Sequence, residues 1–253
     1  MKRLRILLIS ILFLCGCSAR SVESNSVVKT LESLYSSPMP SYTNMNKQYY
    51  SYYLPKGIGR QKSTQTSEVF IKDGYPIVMN FDPSAIVINE HYTTTVSSDA
   101  KEEENTEAQK SVLHVSDISE DVLQKVNVLE DDKTVGKRTF EGYYRDIKDR
   151  VYSYQLILVP NGKQYFLYLH SSIVSICSIV PAIEVEYMIQ TMMMLAKCID
   201  YHEKTVLQSF SIKSINEIQK ENLQSIQSNL SSSGSLSELL EPSNNTKPDD
   251  IRH

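Results

Sequence analysis

The stretch VYSYQLILVP–NGKQYFLYLH, residues 151–170, decides the fold. Both halves are rich in aromatic, branched and aliphatic residues, and Asn161-Gly162 between them is a strong hairpin-turn pair. On the first arm Tyr152, Tyr154, Leu156 and Leu158 alternate, so they share one face. Tyr165, Leu167 and Leu169 do the same on the second. Two such arms joined by a tight turn form an antiparallel pair, and this pair is the expected centre of a sheet.

Downstream, the pattern changes from period two to helical. Val185, Met188, Ile189, Met192, Leu195, Ala196 and Ile199 make one apolar stripe, and Pro181 suits the first turn of a long helix near 181–197. Glu184 and Glu186 fall at its positive end and Lys197 at its negative end. Pro181, Glu184, Glu186 and Gln190 exclude a membrane span for this helix. Upstream, Tyr49–Leu54, Glu68–Lys72 and Tyr75–Phe81 read as strands, the last two joined by Asp73-Gly74, and Ile86-Val87-Ile88 as the start of another. Strands are also expected over Thr139–Tyr144. Ser116 opens a short helix carrying Ile118, Val122 and Leu123. Val27, Val28, Leu31 and Leu34 recur at helical spacing, with Ser26 as the candidate cap and Pro38 and Pro40 as the stop. Strand runs joined by hairpins, with helices between them, predict an α+β fold: an antiparallel β-sheet with packed helices.

The chain of 253 residues divides, on this reading, into a leader at 1–16, a tether at 17–26 and one α+β domain at 27–212. An acidic, apolar-poor loop lies near 97–110, an amphipathic helix follows at 213–230, and a serine- and asparagine-rich tail fills 231–253. The acidic loop lacks the spacing and turn glycine of a calcium site.

The leader has basic Lys2, Arg3 and Arg5, then an apolar run too short to span a bilayer, then Leu14-Cys15-Gly16-Cys17. That ending resembles the lipobox of bacterial lipoproteins, with leucine three residues before the cysteine. The resemblance implies cleavage before Cys17 and a diacylglyceryl group on its thiol, a lipid anchor that holds the domain at the extracytoplasmic side of the cell membrane. Two acyl chains suffice for stable attachment. A conventional cut after Ala19 and an uncleaved anchor are the alternatives. Loss of the leader takes 26 basic side chains to 23 against 30 acidic ones, and the formal charge from −4 to −7. Such a balance disfavours nucleic acid as a partner.

In the globular part, Tyr52-Tyr53-Leu54-Pro55-Lys56-Gly57, together with a late strand pair followed by a long helix, resembles the PsbP-like group of extracytoplasmic α/β proteins. The likeness spans 47–201, with Ile58 where that group often has an aromatic. It implies an assembly or interaction module and brings no active-site residues.

The residues name no cofactor, no metal site and no catalytic centre. His91, His114, His170 and His202 show no i, i+4 pair. His170, at the end of the hairpin, and Asp200-Tyr201-His202-Glu203, after the long helix, are the one candidate cluster. Cys177 ahead of the helix is a candidate reactive thiol, set against burial among Ile176, Ile179 and Val180. Cys177 and Cys198 lie too far apart on this reading for a disulfide. Met192, Met193 and Met194 read as core rather than copper ligands. Glu184 and Glu186, two residues apart on a helix, do not share a substrate. Tyrosines 49, 50, 52, 53, 143, 144, 152 and 154 serve either an adhesive surface or sheet packing. The expected function is a membrane-tethered, non-enzymatic binding or assembly module with an envelope protein as partner. Binding of a small ligand or glycan is the alternative, and an envelope hydrolase the weakest.

Overall fold

A computed structural model describes residues 21–90, 113–115, 118–132 and 136–210, together with 217, 218, 220 and 224. Its core is an eight-stranded antiparallel sheet in the order β3-β4-β5-β10-β9-β8-β7-β6. The strands are β3 (Ile58–Ser63), β4 (Ser67–Lys72), β5 (Tyr75–Phe81), β6 (Asn127–Asp132), β7 (Lys137–Arg145), β8 (Val151–Asn161), β9 (Gln164–Ser171) and β10 (Val174–Pro181). Two meanders, β3–β5 and β6–β10, therefore meet along one seam, where β10 pairs with β5. A smaller sheet, β1 (Met45–Asn46), β2 (Tyr50–Tyr52) and β11 (Asp200–Tyr201), lies beside it with β2 in the middle. The fold is α+β, as the alternating and helical patterns require.

The helices are α1 (Ser24–Tyr35), α2 (84–90), α3 (Glu120–Leu123), α4 (Val185–Lys197) and α5 (Glu203–Phe210). Helices α1 and α4 pack together and onto β7, β9 and β10. The apolar stripe of α4 is buried without exception, from Val185 through Ile189 and Met192 to Leu195 and Ile199. Each such side chain contributes about 1.5–3 kcal/mol by leaving water. The inward face of the hairpin, Tyr152, Tyr154, Leu156, Leu158, Leu167 and Leu169, meets it. Under the small sheet, the Tyr50 ring stacks on Phe81 at 4.8 Å and Tyr52 meets Phe70 edge-on at 5.9 Å.

Several local expectations are corrected. Helix α1 begins at Ser24, so the tether does not extend to residue 26 and the domain starts before Val27. Residues 86–88 lie in α2 rather than in a strand: Ala85, Ile86 and Val87 all face the core, which consecutive strand residues on a one-sided sheet do not. Pro181 closes β10, and a 3₁₀ turn, Ala182–Glu184, carries the chain into α4, so the long helix starts at Val185. The short helix has Ser119 at its N-cap, while Ser116 lies outside the described residues. In the central hairpin Asn161 pairs with Gln164, so Gly162-Lys163 form the corner. Gly162 takes a φ of +61°, as the first corner of a type II′ turn demands.

The leader with Cys17, the acidic loop, His91 and the tail lie outside the described residues, as does most of 213–230. Of that last segment Ile218 is helical, fully buried and part of the core. Among the described residues, no helix is long and apolar enough to cross a membrane.

Candidate functional site

The helices cover one face of the large sheet, and the chemistry of the other face follows from register. Directly opposed residues line up across seven strands as Asn127, Glu141, Gln155, His170, Ser175, Asn80 and Ser67. All are polar. The next row is mostly apolar: Leu129, Thr139, Ile157, Tyr168, Cys177, Val78 and Val69. Side chains of one row stand about 5 Å apart and the two rows about 7 Å apart.

The polar row is exposed at its β6–β9 end, where Asn127, Gln155 and His170 reach solvent, and sinks toward β4. A shallow groove of about 460 Å³ opens over that end, with Glu141, Tyr143, Ser153, Gln155, His170 and Ser172 along it. The Gln155 amide donates to Glu141 Oε1 at 2.7 Å, fixing both. On β9, the rings of Phe166, Tyr168 and His170 stand parallel at 6.5 and 6.0 Å. Farther along, Asn80 is 3% exposed and its Oδ1 has no partner among the described residues. The apolar row is buried at Val69, Val78 and Cys177, which with Ile179 form a cluster separate from the main core.

The spacing of the ionisable groups on this face limits what they can do together. Glu141 and His170 flank Gln155 and lie two strands apart, roughly 10 Å, beyond direct proton transfer. Nor does the candidate histidine cluster assemble. His170 stacks on Tyr168 on the open face, whereas His202 is held in the small sheet, Nε2 at 2.9 Å from Ser51 Oγ and Nδ1 at 3.0 Å from Gln48 O. Asp200 turns instead to Lys148 and Arg150, at 3.5 and 3.6 Å. Among the described residues, no three His, Cys, Asp or Glu side chains gather as metal ligands.

Cys177 sits within β10 rather than ahead of a helix, and burial pushes its thiol up to about 12. The Cys198 thiol is pushed up to about 12 by the same cause. Both are unpaired and buried. At neutral pH neither supplies a thiolate. Met192 and Met193 are core residues. Exposed Glu186 accepts a hydrogen bond from Ser26 Oγ, tying the first turn of α4 to α1. The tyrosines serve the sheet: 49, 50, 52, 144, 152 and 154 are buried, and only Tyr53 and Tyr143 reach the surface in part. Burial raises the phenols of Tyr50, Tyr52, Tyr144, Tyr152 and Tyr154 above the ordinary tyrosine range.

Of this surface, the residue reading singled out His170, Tyr143 and Cys177. Glu141, Gln155 and Asn80 were marked only by being polar positions of alternating strands, and their alignment requires strand order and register. Comparison with protein-family models, with curated proteins and with solved structures returned no match.

Proposed function

We propose that the chain is a lipid-anchored extracytoplasmic lipoprotein, and that its domain is a non-enzymatic binding module for an envelope protein, met through the open sheet face. The observation that carries the binding reading is the exposed polar row beside half-buried Ile157, Phe166 and Tyr168. Polar groups that fix register beside apolar area that drives association are the makings of a protein interface. The interaction module implied by the PsbP-like resemblance points the same way.

The anchor rests on Leu14-Cys15-Gly16-Cys17. The start of the domain bears on how that anchor would hold it. Arg138 donates to Val22 O at 2.7 Å, and Val22 N donates to the Tyr165 hydroxyl at 3.3 Å. Only residues 17–21 are left as tether, a reach of about 18 Å. Tyr165 lies near the β8–β9 corner, so that end of the sheet would face the lipid. His170, five residues along β9, stands about 17 Å farther from it.

A photoreactive residue at Gln155 should capture one discrete protein in cells, while the same residue at Lys29, on exposed α1 surface, should not. Equal capture at both positions, or none at 155, sinks the reading. The parallel ring ladder keeps glycan binding as a second reading. Cell-wall fragments that raise the melting temperature would favour it, since a ligand of the native state must stabilise that state.

A further inference from the structure

A second concavity, unrelated to the open face, lies on the helical side where the end of α1 meets β3 and α4. It encloses about 280 Å³. Its walls are apolar in the main, with Leu34, Met39, Ile58 and Met194 among them, and Ser37, Gln190 and Thr191 add polar groups. Three lysines border it, Lys56, Lys72 and Lys197, and among the described residues no carboxylate does. In a chain with more acidic than basic side chains, this local excess of cations stands out.

The three lysines are placed differently. Lys56 is exposed on the Pro55–Gly57 turn. Lys72 lies 5.2 Å over the Tyr187 ring and pairs at 3.2 Å with Asp73, whose own carboxylate faces solvent. Lys197 is 2% exposed. Its ammonium donates to Leu34 O at 2.5 Å and to Tyr35 O and Ser37 O at 3.3 Å, all carbonyls at the end of α1. The expectation that Lys197 serves the end of its own helix is corrected here: it caps α1. These oxygens are neutral dipoles. Glu120, Asp146 and Asp149 line a separate cleft on the other side of Lys197, but Asp146 is tied to Arg150 at 2.7 Å, and Lys197 makes no ion pair among the described residues. An anion in the lysine-bordered cleft would neutralise the buried charge.

We propose that this cleft binds a small amphipathic anion, a carboxylate or phosphate head on a short aliphatic chain. The head lies between Lys56 and Lys72, and the chain lies on Ile58 and Met194. The volume falls just below the usual range for small-molecule sites, about 300–1,000 Å³, so the chain is short.

The test is titration of the full chain with decanoate, against decanol for the chain without charge and acetate for the charge without chain. Decanoate should raise the melting temperature and give a saturable calorimetric isotherm; decanol and acetate at the same concentration should give neither. Lys56→Gln combined with Lys72→Gln should weaken decanoate at least tenfold. Lys56 is exposed but the Lys72 side chain is only 15% exposed, so the unliganded double variant must also keep the wild-type circular dichroism spectrum, and Lys56→Gln alone should already weaken binding. At pH 8.5 binding should take up protons, seen as a dependence of the heat on buffer ionisation, because a nearby anion favours protonated Lys197. Equal binding of decanol, or decanoate binding unchanged in the double variant, overturns the proposal. Capture by phosphatidylglycerol vesicles without binding of monomeric decanoate would show a membrane-surface contact instead and would equally overturn it.

Discussion

Four residues carry consequences that neither composition nor periodicity announces. Gly142 sits opposite Tyr154, and a Cβ there would lie 2.7 Å from the tyrosine hydroxyl and 3.0 Å from its ring carbon. Gly142→Ala should therefore cost about 1–3 kcal/mol in urea denaturation. Adding Tyr154→Phe should recover part of it by removing the nearest atom. Lys197 acts through pH. Burial lowers its ammonium from 10.5 to about 8, so between those values the unfolded chain holds a proton that the folded chain has released. Its contribution to stability rises with pH over that window. Cys177 and Cys198, raised from 9.0 to about 12, act in the opposite sense: above pH 9 the unfolded chain loses protons that the folded chain keeps. The thiols are common to both proteins when wild type is compared with Lys197→Met. The difference in unfolding free energy, wild type minus variant, should thus climb from pH 8 to 10; a flat difference contradicts the assignment. The same burial predicts that a thiol reagent leaves both cysteines unmodified at pH 7.5 and labels both once the chain is unfolded in denaturant.

At the level of elements, legibility tracked how local the determining interaction is. The β8–β9 hairpin, the Asp73-Gly74 turn and the stripe of α4 declare themselves through near neighbours in the chain, and all three are present. Residues 86–88 were misread because a three-residue apolar run carries no period, and only the core beneath α2 selects a helix. Strand β10 was missed for a related reason: Ile176, Cys177, Ile179 and Val180 are buried on both faces, so alternation is lost. The polar row was hidden more deeply, since it exists only once seven strands are in register. Because the α4 stripe is buried without slack, Met192→Ala should lower stability by about 2–5 kcal/mol, read from the denaturation midpoint. Exposed Gln190→Ala should change it by less than about 0.5 kcal/mol.

For the whole molecule, the expected outcome at the leader is the most direct to check. Cys17→Ala should move the protein from the membrane fraction to the soluble fraction and remove a diacylglyceryl mass from its N-terminus. Retention in the membrane with unchanged mass defeats the anchor reading and leaves the open-face reading standing. The seam between β5 and β10 reaches further. Met79 pairs with Ile176, 97 positions later in the chain, so neither meander completes its sheet until a long intervening stretch has closed. Closure on that scale is slow to find, yet lengthening the stretch adds little, about 0.6 kcal/mol for each doubling. Segments inserted between α2 and Leu113, which is itself buried in the core, should thus be accepted with small losses of stability. A single disfavoured pairing at the seam should instead delay refolding, leaving two half-sheets with bare hydrogen-bonding edges open to neighbouring chains.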